Sequence, residues 1–392
     1  MIPFLYKNIF RMDKRLVGIY VFLILIREVV AIINVYFFTL PGSKGDAIKF
    51  HEEAERIANT GEYLFSLGHP VYEIFLGFVY RISGVSFMLG HQLSILIFSL
   101  SCVVLLKIVN ILRMGHYKSQ ILLVYGALPS VVLNSTFTLR ESYEVLFMMM
   151  VVYLGIKSVK NNKNLMLNLG FFVSLVLMGM LHRALLVYSF FLLFLFIWWS
   201  NNQSNALKNS KKRILAVFYT IAILMLIPLF SLVFQDMIFI FYDLNLIDSI
   251  THHREATIIS NASYAVNLDS SSVISFILSF FEIYFYYLFT PFLWEVSNFY
   301  DVYAFVESII RMILIYCSVK LWYGTHDERR TYLTLMLLIF ISISFLWSVG
   351  TTNYGTAIRH RMMDWWIISI LGTPYLVEYL RRKFKKIYVG RI

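Results

Sequence analysis

Long apolar runs alternate with short polar segments along the whole chain, at the spacing of membrane-crossing helices. Ten runs are near the ~20 residues a helix needs to cross a bilayer. They cover 16–40, 88–109, 120–138, 142–158, 165–181, 184–199, 214–234, 303–322, 332–349 and 363–380. Two further runs differ. Residues 63–82 are interrupted by Gly68 and Pro70 and carry Glu73 and Arg81, while 273–294 hold Glu282 and Pro291 among many Phe and Tyr. Aromatic residues favour the membrane–water boundary, so both segments are expected to be interfacial or re-entrant. The expected fold class is therefore all-α: a polytopic integral membrane protein of about ten transmembrane helices plus interfacial or re-entrant helices.

Composition agrees with this pattern. Hydrophobic residues make up 59% of the 392 residues and charged ones 15%, against about 25% charged in soluble domains. Mean hydropathy is +0.70. Cys102 and Cys317 fall inside apolar runs, which implies no disulfide framework. The net charge of +11 does not indicate nucleic acid, because the basic residues cluster in short loops between apolar runs. Those loops are the N-terminus, 107–118, 157–163, 208–213, 320–330 and 381–391. The positive-inside rule puts all of them in the cytoplasm. An even number of spans then separates each pair, which holds if 63–82 and 273–294 do not cross. The expectation is one transmembrane domain over 1–392, with both termini in the cytoplasm and an uncleaved N-terminal anchor.

That topology sets an outer face with three notable loops, at 41–69, 235–272 and 350–362. In the first, Asp46 is placed to cap an amphipathic helix over 47–59. Ala47, Phe50, Ala54, Ile57 and Ala58 form its apolar side, and Lys49, Glu52, Glu53 and Arg56 its polar side. A carboxylate there would meet a lipid-borne substrate at the water–lipid boundary, or would serve only as a cap. The outer face also collects Arg140-Glu141, His182-Arg183, His252-His253-Arg254-Glu255 and Arg359-His360-Arg361. Cations on that side run against the positive-inside tendency, and an anionic ligand such as a polyprenyl phosphate or diphosphate accounts for them. Arg359 and Arg361 lead this set, followed by Arg140, Arg183 and Arg254, with Glu141, His182 and His360 in support. The bland alternatives are a salt-bridged helix terminus at Arg140-Glu141 and a tight turn at His182-Arg183. The loop around Asn353, Gly355 and Thr356 reads as a polar turn able to aim backbone N–H groups at a phosphate. Adjacent His252 and His253 lack a third ligand nearby, so no metal and no cofactor is expected. Arg27, Glu28 and Arg311 fall inside spans and are expected to act as structural glue.

Four stretches carry a family resemblance: GDAIKFHEEAERIANTGEYLF in the first outer loop, PSVVLNSTFTLRESYEVLF, YYLFTPFLWEV and NYGTAIRHR. They resemble the GT-C superfamily of membrane glycosyltransferases, in particular its bacterial surface-polysaccharide members. The resemblance implies that Asp46 is the catalytic carboxylate. It also implies a polyprenyl-phosphate- or diphosphate-linked sugar donor at the outer leaflet, and a glycan acceptor. A near relative in this reading is the polymerase that joins O-antigen or capsule repeat units. Arg361 and Gly372 show a spacing noted in some of those polymerases. A lipid-linked glycan transporter or flippase is the alternative of another class.

Overall fold

The structure, a computed structural model, describes residues 13–62, 70–160, 164–203 and 272–389. The expected span 214–234 and the loop of His252 to Glu255 lie outside them. The described residues form helices and no strand. The first half holds α1 (Lys14–Tyr36), α2 (Asp46–Thr60), α3 (Pro70–Ser83), α4 (Phe87–Ile111), α5 (Lys118–Gly126), α6 (Pro129–Asn134) and α7 (Glu141–Lys160). The second holds α8 (Leu165–Leu181), α9 (Arg183–Gln203), α10 (Val273–Phe289), α11 (Phe299–Tyr323), α12 (Arg329–Gly350), α13 (Tyr354–His360) and α14 (Met362–Val389). Among the described residues six helices are long and apolar enough to cross a membrane: α1, α4, α7, α9, α11 and α12. α8 and α10 are apolar but shorter, at 17 residues each.

The described residues divide into two compact units. One takes the described residues of Met1–Leu23, Leu105–Val132 and Leu246–Ile392; the other takes Ile24–Val104 and those of Leu133–Asn245.

In the first unit, α11 and α14 cross where Gly372 removes a side chain. A Cβ there would lie 2.6 Å from the Leu314 carbonyl oxygen. Gly372 is thus a close-packing position, which accounts for it without any catalytic spacing. Two of the loops expected in the cytoplasm meet in this unit, and the first of them also touches α14. Arg113 lies 3.3 Å from Glu328, and the Tyr117 hydroxyl donates to Glu378 at 3.0 Å.

The expected span 120–138 is not one helix. It breaks into α5 and α6 at Pro129, which cannot donate the backbone bond a continuing helix needs. The break frees backbone N–H groups, and the buried carboxylate of Glu307 accepts one of them, from Ser130 at 2.8 Å. At the end of α10, before Pro291, the buried Arg361 does the reverse job. Its guanidinium donates to the Tyr287 carbonyl at 2.7 Å and to the Thr290 carbonyl at 2.8 Å. With little water at hand, backbone groups freed by a helix end must find protein partners. Glu307 and Arg361 supply them at one N-terminus and one C-terminus.

In the second unit, α2 packs on α3, and α7, α8 and α9 pack side by side. The apolar face of α2 is the expected one: Ala47, Phe50, Ala54 and Ile57 are buried. Its partner differs from expectation. Ala47, Phe50 and Ala54 join Tyr72, Leu76 and Tyr80 of α3, together with Phe137, Leu139 and Tyr143, in one apolar cluster. The helix buries that face in protein rather than laying it on lipid. Gly77 makes the approach possible, since a Cβ on it would stand 2.7 Å from Ile57 Cγ2 and 3.0 Å from the Ala54 carbonyl. Gly77→Ala is expected to destabilise the protein by about 1–3 kcal/mol through overpacking. Thermal unfolding in detergent measures the loss.

Candidate active site

The second unit contains a cleft of about 680 Å³ lined by Asp46, Lys49, Phe50, Glu52, Glu53 and Arg56 of α2, Glu73 of α3, and Arg140. Two of the residues singled out from the sequence, Asp46 and Arg140, therefore share one cavity although 94 positions separate them (140 − 46).

The loop into α2 explains the placement of Asp46. Gly42 and Gly45 both have positive φ, 85° and 77°, a conformation glycine adopts without steric cost. The tight loop is tied back by Ser43, whose hydroxyl donates to the Leu40 carbonyl at 2.8 Å. Gly45, not Asp46, occupies the N-cap, and Asp46 is the first helical residue, half-buried at the cavity wall. The capping role expected of it belongs to a residue with no side chain.

Arg140 reaches the cavity from the turn before α7. Its carbonyl accepts from the Tyr143 and Glu144 backbone N–H groups at 2.9 and 3.1 Å, so it holds the N-cap position of that helix. The buried guanidinium sits 3.4 Å from the Glu144 carboxylate and 5.7 Å from the Phe50 ring centroid. This is the salt-bridged helix terminus that the sequence left open, with Glu144 as a partner of Arg140. Glu141 is buried at the start of α7.

A chain of buried polar contacts braces the turn. The Thr138 hydroxyl is 3.1 Å from His91 Nδ1, His91 Nε2 is 3.0 Å from the Asn34 amide nitrogen, and Asn34 Oδ1 accepts from the Leu40 N–H at 2.8 Å. Asn34 donates to Nε2, so the proton of the neutral His91 ring sits on Nδ1, where it reaches the Phe87 carbonyl at 2.9 Å. These contacts link the segment before Asp46 to the segment before Arg140. Arg27, inside α1, adds a further brace by donating to the Ser135 hydroxyl at 2.7 Å with its guanidinium 3.4 Å over the Phe98 ring.

Glu73 is the functional candidate the sequence reading missed. It is 6% exposed and faces this cleft from α3, whose 14 residues are too few to span a bilayer. The available signal was an acid inside an apolar segment. Burial raises its carboxyl above the ordinary value near 4.5, and the Arg140 charge only partly opposes this. Carboxyl groups in a cleft whose pKa burial has raised are candidates for a functional role. The folded state thus holds this proton more tightly than the unfolded chain does, so stability falls as pH rises from about 4.5 through the folded value. Glu73→Gln is expected to remove that slope, read as unfolding temperature against pH for both proteins.

The remaining sequence candidates lie elsewhere. His182 ends α8, with its Nδ1 accepting from the Ala184 N–H at 3.1 Å, and the half-buried Arg183 opens α9; this is the tight-turn alternative. Neither lines the cleft.

In the first unit, the segment expected as a polar turn is the short helix α13, whose Asn353 cap accepts the Thr356 N–H at 2.7 Å. Arg359 and Arg361 consequently point apart, as residues two positions apart on a helix must. Arg361 is buried against α10, with its guanidinium on the Tyr287 and Thr290 carbonyls as described. His360 stacks on Trp347 at 4.0 Å between centroids, and its Nδ1 is 2.9 Å from the Thr351 hydroxyl. Arg359 is half-buried. Arg254 lies outside the described residues.

Comparison with known proteins gives a single kind of match. No family model matches the sequence, and no curated protein matches it. Among solved structures, the chain is similar to a crystal structure of ArnT from Cupriavidus metallidurans bound to undecaprenyl phosphate. The TM-score is 0.56 at 13% identity, over 96% of this chain and 62% of that one. The chain thus spans less than two thirds of the length of ArnT. The likeness settles the architecture: a multi-pass, all-helical membrane fold similar to that of ArnT.

Proposed function

We propose that this chain is a membrane glycosyltransferase that takes a sugar from a polyprenyl-phosphate or diphosphate carrier at the outer face of a bacterial cytoplasmic membrane, in surface polysaccharide synthesis. The observation that carries the reading is the cleft that holds Asp46 and Arg140 together. The ArnT-like fold, known here with undecaprenyl phosphate in its relative, supports a lipid-linked donor.

In this mechanism a carboxylate oxygen of Asp46 accepts the proton of the acceptor hydroxyl as that oxygen bonds to the anomeric carbon. The bond from the anomeric carbon to the phosphate oxygen breaks, and its electron pair leaves with the phosphate. Arg140 stabilises the growing negative charge. General-base help of this kind contributes roughly 10²–10⁴-fold in rate. Arg183, Arg254 and Arg359 remain proposed phosphate contacts outside the cleft lining, and Arg361 is assigned to the fold.

The test is transfer by the purified chain in lipid nanodiscs. A panel of undecaprenyl-phosphate-linked labelled sugars is supplied with lipid-linked glycan acceptors. Labelled product from the wild type and none from Arg140→Ala is the expected result. Transfer undiminished in Arg140→Ala would remove this cleft from the chemistry. Impermeant thiol labelling of a cysteine at the exposed Lys44, in cells, is expected to succeed and would place the cleft outside.

A further inference from the structure

Glu73 lines the cleft, and behind it lies a buried layer with more unsatisfied hydrogen-bonding groups than a structural role requires. Among the described residues Glu73 Oε2, the Tyr72 and Tyr143 hydroxyls and the Ser142 hydroxyl are all buried and without a hydrogen-bond partner. They belong to one neighbourhood. The Tyr72 and Tyr143 rings meet edge-on at 5.2 Å between centroids, Phe50 of the cleft lining meets Tyr72 at 5.2 Å, and Ser142 adjoins Tyr143 in sequence. The Glu73 carboxylate acts electrostatically on the Tyr72 phenol. Buried polar groups are normally paired, and an orphaned set is explained by a ligand or by bound water.

The chemistry of the set points away from phosphate. A carboxyl, two phenols and an aliphatic hydroxyl offer several acceptors and no fixed cation. In the wider cleft, the cation assigned to the phosphate in the proposed reaction is Arg140. Arg56 is engaged by Glu53, with Nε to Oε2 at 3.0 Å, and Arg140 lies beside Glu144. Lys49 is then outnumbered by Asp46, Glu52 and Glu73 on the remaining lining.

From this arrangement we infer that Glu73, with Tyr72, Ser142 and Tyr143, forms a hydroxyl-reading subsite for the sugar ring, separate from the group that meets the lipid phosphate. The Glu73 carboxyl, whose hold on its proton burial strengthens, offers acceptor oxygens to sugar hydroxyls and a donor when protonated. The phenols and Ser142 complete the set around it. The inference rests on the glycosyltransferase reading and assigns the sugar to a particular wall of the cleft. It makes Glu73 a specificity residue whose own burial costs the protein stability.

The experiment separates the two readings. Binding to the full chain in nanodiscs is measured by native mass spectrometry for undecaprenyl phosphate alone and for the same lipid carrying glucose, galactose, mannose or N-acetylglucosamine. The wild type is expected to bind at least one sugar-bearing lipid about tenfold or more tightly than the bare lipid. Glu73→Ala should erase that increment and leave the bare lipid unaffected, and Tyr143→Phe should reduce it in part. Neither variant should unfold at a lower temperature than the wild type, because each removes an unpaired buried group. A bare lipid that binds with no sugar increment, or an increment that survives Glu73→Ala, overturns the subsite and leaves the glycosyltransferase reading in place. No binding of the bare lipid overturns the carrier and the subsite together. Retained increment with bound water at Glu73 in an experimental structure would make the wall a hydration site.

Discussion

Asp46→Asn abolishes sugar transfer while the protein remains at normal level in the membrane and unfolds at nearly the same temperature. The two halves of this expectation come from different magnitudes. The cap of α2 is Gly45, so Asp46 holds no N-cap bond for Asn to replace. The substitution takes one negative charge from the first helical turn, worth about 0.3–1 kcal/mol against the helix dipole, and keeps a side-chain oxygen in its place. What it removes from the chemistry is a proton acceptor, worth roughly 10²–10⁴-fold in rate. Transfer from a labelled lipid-linked sugar and thermal unfolding, measured on the same preparation, separate the terms. An active Asn variant would take Asp46 out of the mechanism, because an amide does not accept that proton.

The largest effect on stability is expected at Arg311 and Asp364, between α11 and α14. The guanidinium meets the carboxylate with both arms, at 2.8 and 2.7 Å, and each side chain is 1% exposed. Removing one partner leaves the other as an uncompensated buried charge, which typically costs 3–5 kcal/mol. Arg311→Met should therefore lower the unfolding temperature sharply in a detergent-solubilised thermal scan, and Asp364→Leu should do the same. The double variant should recover most of the loss, since two apolar side chains of similar size replace a pair whose desolvation roughly offsets its attraction. A double variant as unstable as either single one would mean that the pair fixes the packing of α11 against α14 by its geometry.

Glu307 and Arg361 belong to the same class of buried charge with a different partner. Their counterparts are backbone groups at helix ends, so a net charge count across the first unit does not reveal them. Arg361 shows what the sequence does not decide. On the outer face of a membrane protein an arginine reads as a ligand contact, but a helix ending before Pro291 also needs a cation for its free carbonyls. What decides is distant in sequence: the guanidinium donates to the carbonyls of Thr290 and Tyr287, 71 and 74 positions away (361 − 290 and 361 − 287).

The sequence by itself determined the class and most of the helices. Apolar run length is set by bilayer thickness, and the periodicity of Ala47, Phe50, Ala54 and Ile57 is set by the helix turn. Both are local properties, and both reappear in α1, α2, α4, α7, α11 and α12. The pairing of Asp46 with Arg140, the burial of Glu73 behind them and the union of Arg311 with Asp364 were decided by the tertiary structure. The physical reason is that an ionisable side chain in a low-dielectric setting takes its role from the groups that surround it. Those groups come from other helices, at separations on which local periodicity carries no information.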